Sequence, residues 1–240
     1  MGALLELFMI TWDEFKSAIC RYPKIANYDQ SYEELMGDKN FIKALKENPG
    51  LKEVHKVIDF LNIWGCRIKS GDESEKVLLS VIKENLQLLT FLSKYKIEQI
   101  DFDYKLFENN FYIKIKDLII LIYLRFRHVE FKFGATATAK ILHILVPELF
   151  VMWDKAILEY YHANDLKVSD SGPGYVHFLM AMKELAISIN EQFQSNVNHP
   201  FTKDKDLSLY LLRETNSNHP KTLAKFLDEY NWVTITRNNA

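Results

Sequence analysis

The chain has 240 residues, with 30 Lys and Arg against 32 Asp and Glu, so its formal net charge is −2. It is 48% hydrophobic and 13% aromatic, which excludes an intrinsically disordered chain, and its 8 glycines and 6 prolines are too few for a turn-rich all-β fold. The charge balance excludes a protein coated in Lys and Arg, but it leaves room for a local basic face that binds nucleic acid.

Capping and turn residues mark the first predicted helices. Thr11 to Glu14 has the capping-box spacing and predicts a helix from Trp12 to about Cys20, ended by Pro23. Ser31 to Glu34 repeats the box. From Leu51, apolar residues recur close to the 3.6-residue period and predict a helix that ends at Gly65.

Arg67 follows Trp64 closely at the end of that helix. An Arg in this position could stack on the indole or reach a phosphate. A helix C-cap with a packed Trp explains the same residues, and it is the interpretation that we favour.

The middle and the end of the chain also have helical patterns. Ser74 to Ser93 predicts one long helix, and Asn110 to Arg127 predicts a largely buried helix, with a strand as the alternative because of its β-branched residues. Pro220 stands at the first position of another predicted helix. The later helices are expected at Tyr175–Gln194, Asp206–Arg213 and Lys221–Tyr230.

With no repeat and no convincing strand, the sequence predicts an all-α fold of nine or ten helices, as a single domain over residues 1–240 or as two lobes around a shared core.

The stretch from Gly134 to Ile157 combines small residues, a short amphipathic helix and an aspartate that opens a new helix. In the predicted helix Thr136–Leu145, Lys140 and His143 lie on the face opposite the apolar one. Asp154 then stands at the start of the next helix, where its carboxylate could cap free N–H groups.

This layout resembles the helix-hairpin-helix DNA glycosylase superfamily. Its members carry a glycine hairpin, a Thr-Ala helix and a catalytic aspartate that opens the next helix. When Thr138-Ala139 is aligned with the Thr-Ala pair of the family, Asp154 lies within about one residue of the catalytic aspartate. Of the hairpin glycines only Gly134 is present, and Ala137 stands where lyase-competent members carry a lysine. The segment also looks like prokaryotic proteins of unknown activity that share a K-x-L-H, P-x-L-F and W-D signature.

The resemblance implies a monofunctional base-excision glycosylase that binds duplex DNA and uses Asp154 as its catalytic carboxylate. Such an enzyme flips a base into a pocket lined by aromatic residues. The implied substrate-binding residues are Lys140, His143, Trp153 and Tyr123. The implied nucleic-acid-binding residues are Arg125, Arg127, Lys132 and Gly134, because a surface that grips the DNA backbone would lie before the hairpin. A solvated helix end explains the same basic residues.

The sequence contains no motif for a metal site, a bound cofactor or a catalytic nucleophile. Cys20 and Cys66 form no CxxC pair, and no histidine ligand spacing, phosphate loop or nucleophile motif is found, so we expect no metal site and no cofactor. The longest apolar run, Leu118 to Leu124, is too short to span a bilayer. We therefore expect a soluble, cytoplasmic protein without a membrane partner.

Two alternatives to the glycosylase hypothesis stay open. In the first, the protein is a non-enzymatic helical interaction module, Asp154 is only a helix cap, and no cleft lies in front of it. In the second, Trp64, Tyr123 and Trp153 line a small-molecule site.

Overall fold

A computed structural model of the chain describes residues 9–26, 29–69, 71–108, 111–127, 133–195, 206–217 and 219–237. In these ranges the protein forms twelve α-helices, one two-stranded β-hairpin and one short π-helix. The predicted helical class is confirmed. The number of helices exceeds the predicted nine or ten.

The elements follow one another with short connections. The first helices are α1 (Trp12–Ile25), α2 (Asp29–Gly37), α3 (Lys39–Glu47), α4 (Leu51–Ile63), α5 (Asp72–Glu84) and α6 (Leu86–Leu92). Strands β1 (Lys105–Glu108) and β2 (Phe111–Lys114) lead directly into α7 (Ile115–Arg127). The last helices are α8 (Ala135–Leu145), α9 (Lys155–Ala163), α10 (Gly172–Ser195), α11 (Leu207–Glu214), α12 (Leu223–Asn231) and the π-helix Trp232–Thr236.

Helix α1 begins as predicted and ends later than predicted. The backbone N–H of Glu14 donates to the Thr11 hydroxyl, and the N–H of Thr11 donates to the Glu14 carboxylate at 2.8 Å, which confirms the capping box. The predicted end at Pro23 is wrong, because this proline lies in the last turn and removes only one helical N–H donor there. Burial of Tyr22 helps to hold that turn in place.

The predicted long helix Ser74–Ser93 is divided into α5 and α6 at Asn85. The Asn85 side chain donates to the carbonyl of Val81 at 2.7 Å and so competes with the backbone ladder. Asn85 is also buried, and its side-chain oxygen accepts a hydrogen bond from Arg125. The sequence pattern is continuous through this position, so the break comes from a side-chain interaction rather than from a helix-breaking residue type.

The β-hairpin corrects the expectation that the chain has no strand. Strands β1 and β2 are antiparallel, and Phe107 is paired with Tyr112 on the exposed face, with ring centroids 5.2 Å apart. The predicted helix from Asn110 therefore begins only at Ile115. Pro220 does not open α12 either, because Thr222 is the N-cap and accepts a hydrogen bond from the N–H of Lys225.

Helix α8 is buried on all sides. Every residue from Ala137 to Leu145 is buried, including Lys140 and His143, so the helix has no polar outer face. The continuous hydrophobic core around it includes residues from Trp12 to Ile235. In the described ranges, no helix is both long and apolar enough to cross a membrane.

Candidate functional site

A cavity of about 540 Å³ lies where the end of α4, the start of α8, the loop before α9 and the end of α12 meet. Its lining residues are Ile63, Trp64, Gly65, Cys66, Gly134, Ala135, Thr136, Ala137, Lys140, Trp153, Asp154, Lys155, Asp228 and Trp232. A volume of this size is in the range of ~300–1,000 Å³ that is usual for ligand sites. The cavity thus combines three indole rings with two carboxylates and two amines.

Asp154 is the N-cap of α9 and also lies in the cavity wall. Its Oδ1 accepts a hydrogen bond from the backbone N–H of Ile157 at 2.9 Å, and its Oδ2 accepts one from the hydroxyl of Thr236 at 2.8 Å. The capping position is therefore as the sequence predicts. Asp154 therefore both caps α9 and borders the cavity.

Lys140 joins α8 to the end of α4. Its ammonium donates to the carbonyl of Trp64 at 2.9 Å and lies 5.2 Å from the indole centroid. Gly65 has a φ of +77° and the N–H of Cys66 donates to the carbonyl of Leu61, so α4 ends in a glycine C-cap with the packed Trp, as expected. Burial raises the pKa of the Cys66 thiol, and the nearby ammonium of Lys140 opposes this effect.

Trp153 lines the cavity with its indole N–H already engaged. The indole donates to the carbonyl of Ala135 at 3.1 Å and packs edge-on against Tyr175. Tyr123 lies behind Trp153 and is fully buried, with its ring stacked on Tyr175 and its hydroxyl 3.4 Å from Asp170. Tyr123 does not line the cavity, so it supports Trp153 from behind. The predicted aromatic set of Trp64, Tyr123 and Trp153 is replaced by Trp64, Trp153 and Trp232.

His143 is a core residue and does not reach the cavity. It is fully buried, its Nδ1 is 2.6 Å from the carbonyl of Phe150, and its Nε2 is 2.8 Å from the Tyr32 hydroxyl. The carbonyl can only accept, so Nδ1 carries the proton and Nε2 accepts from Tyr32. Burial lowers the pKa of His143 to about 3, against the opposing effect of the hydrogen bond to Phe150. His143 therefore does not lie in the cavity wall, and its substrate-binding role stays a prediction.

The basic residues of α7 lie away from the cavity wall. Arg127 forms a two-pronged ion pair with Asp170, at 2.7 Å and 3.1 Å, and also donates to the carbonyl of Phe133. Arg125 is exposed in a separate groove next to β1 and is bonded to Asn85. Lys132 is outside the described residues. The nucleic-acid roles of these three residues stay predictions.

Gly134 lines the cavity as the N-cap of α8. Its φ of −66° is open to any residue, and a Cβ atom built there would meet nothing within 4 Å. Neither backbone strain nor close packing therefore requires a glycine at this position. Because Gly134 has no side chain, the first turn of α8 receives no side-chain cap.

Sequence reasoning missed Asp228 and Trp232, which form the wall contributed by α12 and the π-helix. Asp228 is only 5% exposed, and its Oδ2 is 2.8 Å from the ammonium of Lys225. In the sequence, Lys225, Asp228 and Glu229 have the spacing of a solvated, salt-bridged helix face. Nothing in that pattern distinguishes a surface from an interior position.

Lys225 is the centre of a buried ionic cluster behind the cavity. Its ammonium is fully buried, lies 3.4 Å from Glu229, and is about 5 Å from the ring centroids of three aromatic residues, Tyr22, Tyr32 and Trp64. Burial alone lowers the pKa of Lys225, but the neighbouring carboxylates outweigh it, and the pKa is well above its ordinary value. Lys221 extends the cluster by pairing with Glu229 at 2.9 Å and with Asp29 at 2.7 Å.

Comparison with protein-family models, curated proteins and solved structures gives no match to this chain. In the part of the chain that the structure describes, no three His, Cys, Asp or Glu side chains are grouped so that they could hold a metal ion. The functional argument therefore depends on the cavity and on its own residues.

Proposed function

We propose that the cavity binds a nucleobase with its sugar and hydrolyses the N-glycosidic bond between them, in a protein that acts on DNA in the manner of a base-excision glycosylase. The observation that carries this proposal is the position of Asp154. Its carboxylate is held in the wall of a cavity that also contains three tryptophans.

The chemistry of the cavity suits this reaction. Cleavage of an N-glycosidic bond builds positive charge on the sugar, and a carboxylate fixed in advance stabilises that charge and orients water. Ile157 and Thr236 fix the two oxygens of Asp154, so no reorientation is needed when the charge develops. Trp64 and Trp232 are partly exposed and offer aromatic surface to a flipped base, because every base presents a flat π-face.

The absence of a lysine at position 137 favours water as the nucleophile. Ala137 lines the cavity where a lyase-competent relative of the glycosylases would carry an amine. The ammonium of Lys140 is one helical turn away and is bonded to the carbonyl of Trp64. The proposed activity therefore releases a base and leaves the sugar-phosphate backbone intact.

Two exposed cations near the cavity are suited to hold DNA phosphates. Lys155 lines the cavity and is 86% exposed, with only a weak 3.5 Å pair to Glu159. Arg67 directly follows Cys66, has a φ of +51° and is exposed. Ile63 also lines the cavity and is 58% exposed, which adds apolar surface there. Phosphate contacts at this rim would place a flipped nucleotide over the cavity.

A binding experiment tests the DNA component of the proposal. Duplexes that contain an abasic-site analogue and matched undamaged duplexes are titrated with protein over a salt series. We expect the abasic duplex to bind more tightly. For Arg67→Ala, the slope of the logarithm of the binding constant against the logarithm of the salt concentration should be shallower by about one unit, because one phosphate contact is lost. Lys76→Ala removes an exposed cation from α5, a helix that does not line the cavity, and serves as the matched control. Equal or absent binding of both duplexes at low salt would exclude a glycosylase-like role.

One observation favours a non-enzymatic interaction module instead, since both oxygens of Asp154 are already hydrogen-bonded. Asp154→Asn separates the two functions, because Asn is an equally good N-cap but lacks the charge. Asp206→Asn is the matched control, since Asp206 caps α11 through the N–H groups of Ser208 and Leu209. Loss of base release only in Asp154→Asn supports catalysis. Full activity in both variants would leave Asp154 as a cap alone.

A further inference from the structure

Asp228 presents an unusual carboxyl group to the cavity. More than nine-tenths of the residue is buried, and it lines the cavity from α12. One oxygen, Oδ2, is paired with the ammonium of Lys225 at 2.8 Å. The other oxygen, Oδ1, accepts no hydrogen bond from any residue that the structure describes. The protein therefore leaves one oxygen of a buried carboxyl group available to a ligand.

The surroundings of Asp228 compensate its charge only in part. Lys225 is shared, because its ammonium also lies 3.4 Å from the carboxylate of Glu229. The other titratable groups that act on Asp228 come from five further elements or loops: Lys140, Asp154, Tyr22, Tyr32 and Tyr175. Burial raises the pKa of Asp228, with Asp154 adding to the effect and Lys225 and Lys140 opposing it.

The two carboxyl groups of the cavity are therefore held differently. Asp154 receives one N–H and one O–H hydrogen bond, which suits a group that stays charged while positive charge develops near it. Asp228 is buried and has a single partner, which suits a group that carries a proton to the substrate. Two carboxyl groups in unlike environments are the arrangement by which enzymes separate an acid from a charge-stabilising base.

We propose that Asp228 is a second catalytic residue of this cavity and donates a proton from Oδ1 to the departing base. This inference rests on the proposed glycosidic activity. It assigns the leaving-group chemistry of that reaction to a residue that neither the sequence pattern nor the glycosylase resemblance singles out.

The proposed step is balanced without a cofactor. As the bond between the sugar carbon and the base nitrogen breaks, its electron pair moves to the base, and the proton of Asp228 is transferred to a base nitrogen. A water oxygen forms the new bond to the sugar carbon, and the proton that water loses passes by way of Asp154 to solvent. In the free protein Asp228 is ionised beside Lys225, and before each turnover it takes up one proton from solvent as the substrate fills the cavity. One water is consumed, and no group is oxidised or reduced.

Two substrates distinguish this role from the proposed function itself. N7-methylguanine already carries a positive charge and leaves as a neutral base, whereas hypoxanthine must be protonated as it leaves. Duplexes with either base are cleaved under single-turnover conditions. We expect Asp228→Asn to slow hypoxanthine release by about 100- to 10,000-fold. We expect it to change N7-methylguanine release by less than about tenfold, and Asp154→Asn to impair the release of both bases.

The outcomes separate the two claims. Equal losses for both bases in Asp228→Asn, or no loss for either, would overturn the role of Asp228 and leave the glycosidic activity standing. Cleavage of neither base by the unaltered protein would refute the proposed function and, with it, the role of Asp228.

A second measurement does not depend on whether the variant folds. In the unaltered protein labelled with ¹³C-aspartate, the carboxyl carbon of Asp228 should titrate above the ordinary value of 3.8. A midpoint at or below that value would contradict the proposal.

Discussion

Replacing Lys225 with Met tests the most unusual feature of the interior, the ammonium buried among aromatic rings. Methionine has nearly the same length and fills a similar volume with apolar atoms, so only the ammonium near the rings of Tyr22, Tyr32 and Trp64 is lost. It removes the positive charge that lies 2.8 Å from Asp228. Glu229 keeps its second partner, Lys221, at 2.9 Å. Among the described residues, Asp228 has no second ammonium within 4 Å.

The magnitude follows from what remains buried after the substitution. Removing one partner of a buried ion pair typically costs about 3–5 kcal/mol, because the other charge stays buried and uncompensated. The lost cation–π contacts add to this in the same direction, at roughly 0.5–2 kcal/mol each. A natural domain has a free energy of unfolding of about 5–15 kcal/mol, so Lys225→Met should lose a large part of its stability.

Urea unfolding at pH 7, followed by circular dichroism, measures the effect. Lys155→Met is the matched control, since the Lys155–Glu159 pair is exposed and such pairs contribute at most ~0.5 kcal/mol. The double variant Lys225→Met/Asp228→Asn should recover at least ~1 kcal/mol, because the orphaned carboxylate is then neutral. A loss in Lys225→Met no larger than in the control, or no recovery in the double variant, would refute the idea that Lys225 compensates buried carboxylates.

The other predictions concern His143 and two glycines. His143 has a pKa of about 3 in the folded protein against 6.5 ordinarily, so its contribution to stability is complete above pH 6.5 and is lost as the pH falls towards 3. The free energy of unfolding should therefore fall by roughly 1.4 kcal/mol per pH unit below pH 6.5. In urea unfolding at a series of pH values, the slope of this free energy against pH should be shallower for His143→Gln. An unchanged slope would contradict the assignment of a neutral histidine. Gly174→Ala should lower the melting temperature by several degrees, because a Cβ atom would lie 2.2 Å from the carbonyl oxygen of Ser169, whereas Gly134→Ala should melt within about one degree of the unaltered protein. Equal melting of the two glycine variants would show that Gly174 has more room than the structure gives it.

Local signals in the sequence were sufficient for much of the secondary structure. The hydroxyl of Thr11, the carboxylate of Asp154 and the glycine at position 65 act within one turn of their own position, so their roles as caps follow from spacing alone. The break at Asn85 was not predictable in this way. It depends on where one amide side chain donates, and the surrounding helical pattern is continuous.

The composition of the site was predicted less well, for two physical reasons. Periodicity assigns a buried face and a solvent face to a helix, but α8 is enclosed on every side, so His143 is sealed in the core while Lys140 reaches the cavity wall. Asp228 and Trp232 enter the site from a helix more than 70 residues away in sequence from Asp154, through tertiary packing alone. A single sequence contains no local signal for such an approach.

The distribution of the tryptophans gives this protein an optical probe of its own. Of its four tryptophans, Trp64, Trp153 and Trp232 line the cavity, and only Trp12 lies elsewhere, packed against Phe193 and Tyr210. A planar ligand in the cavity would quench the emission of the partly exposed Trp64 and Trp232 without any label. Candidate bases, nucleosides and oligonucleotides can therefore be ranked by direct titration before any catalytic assay exists.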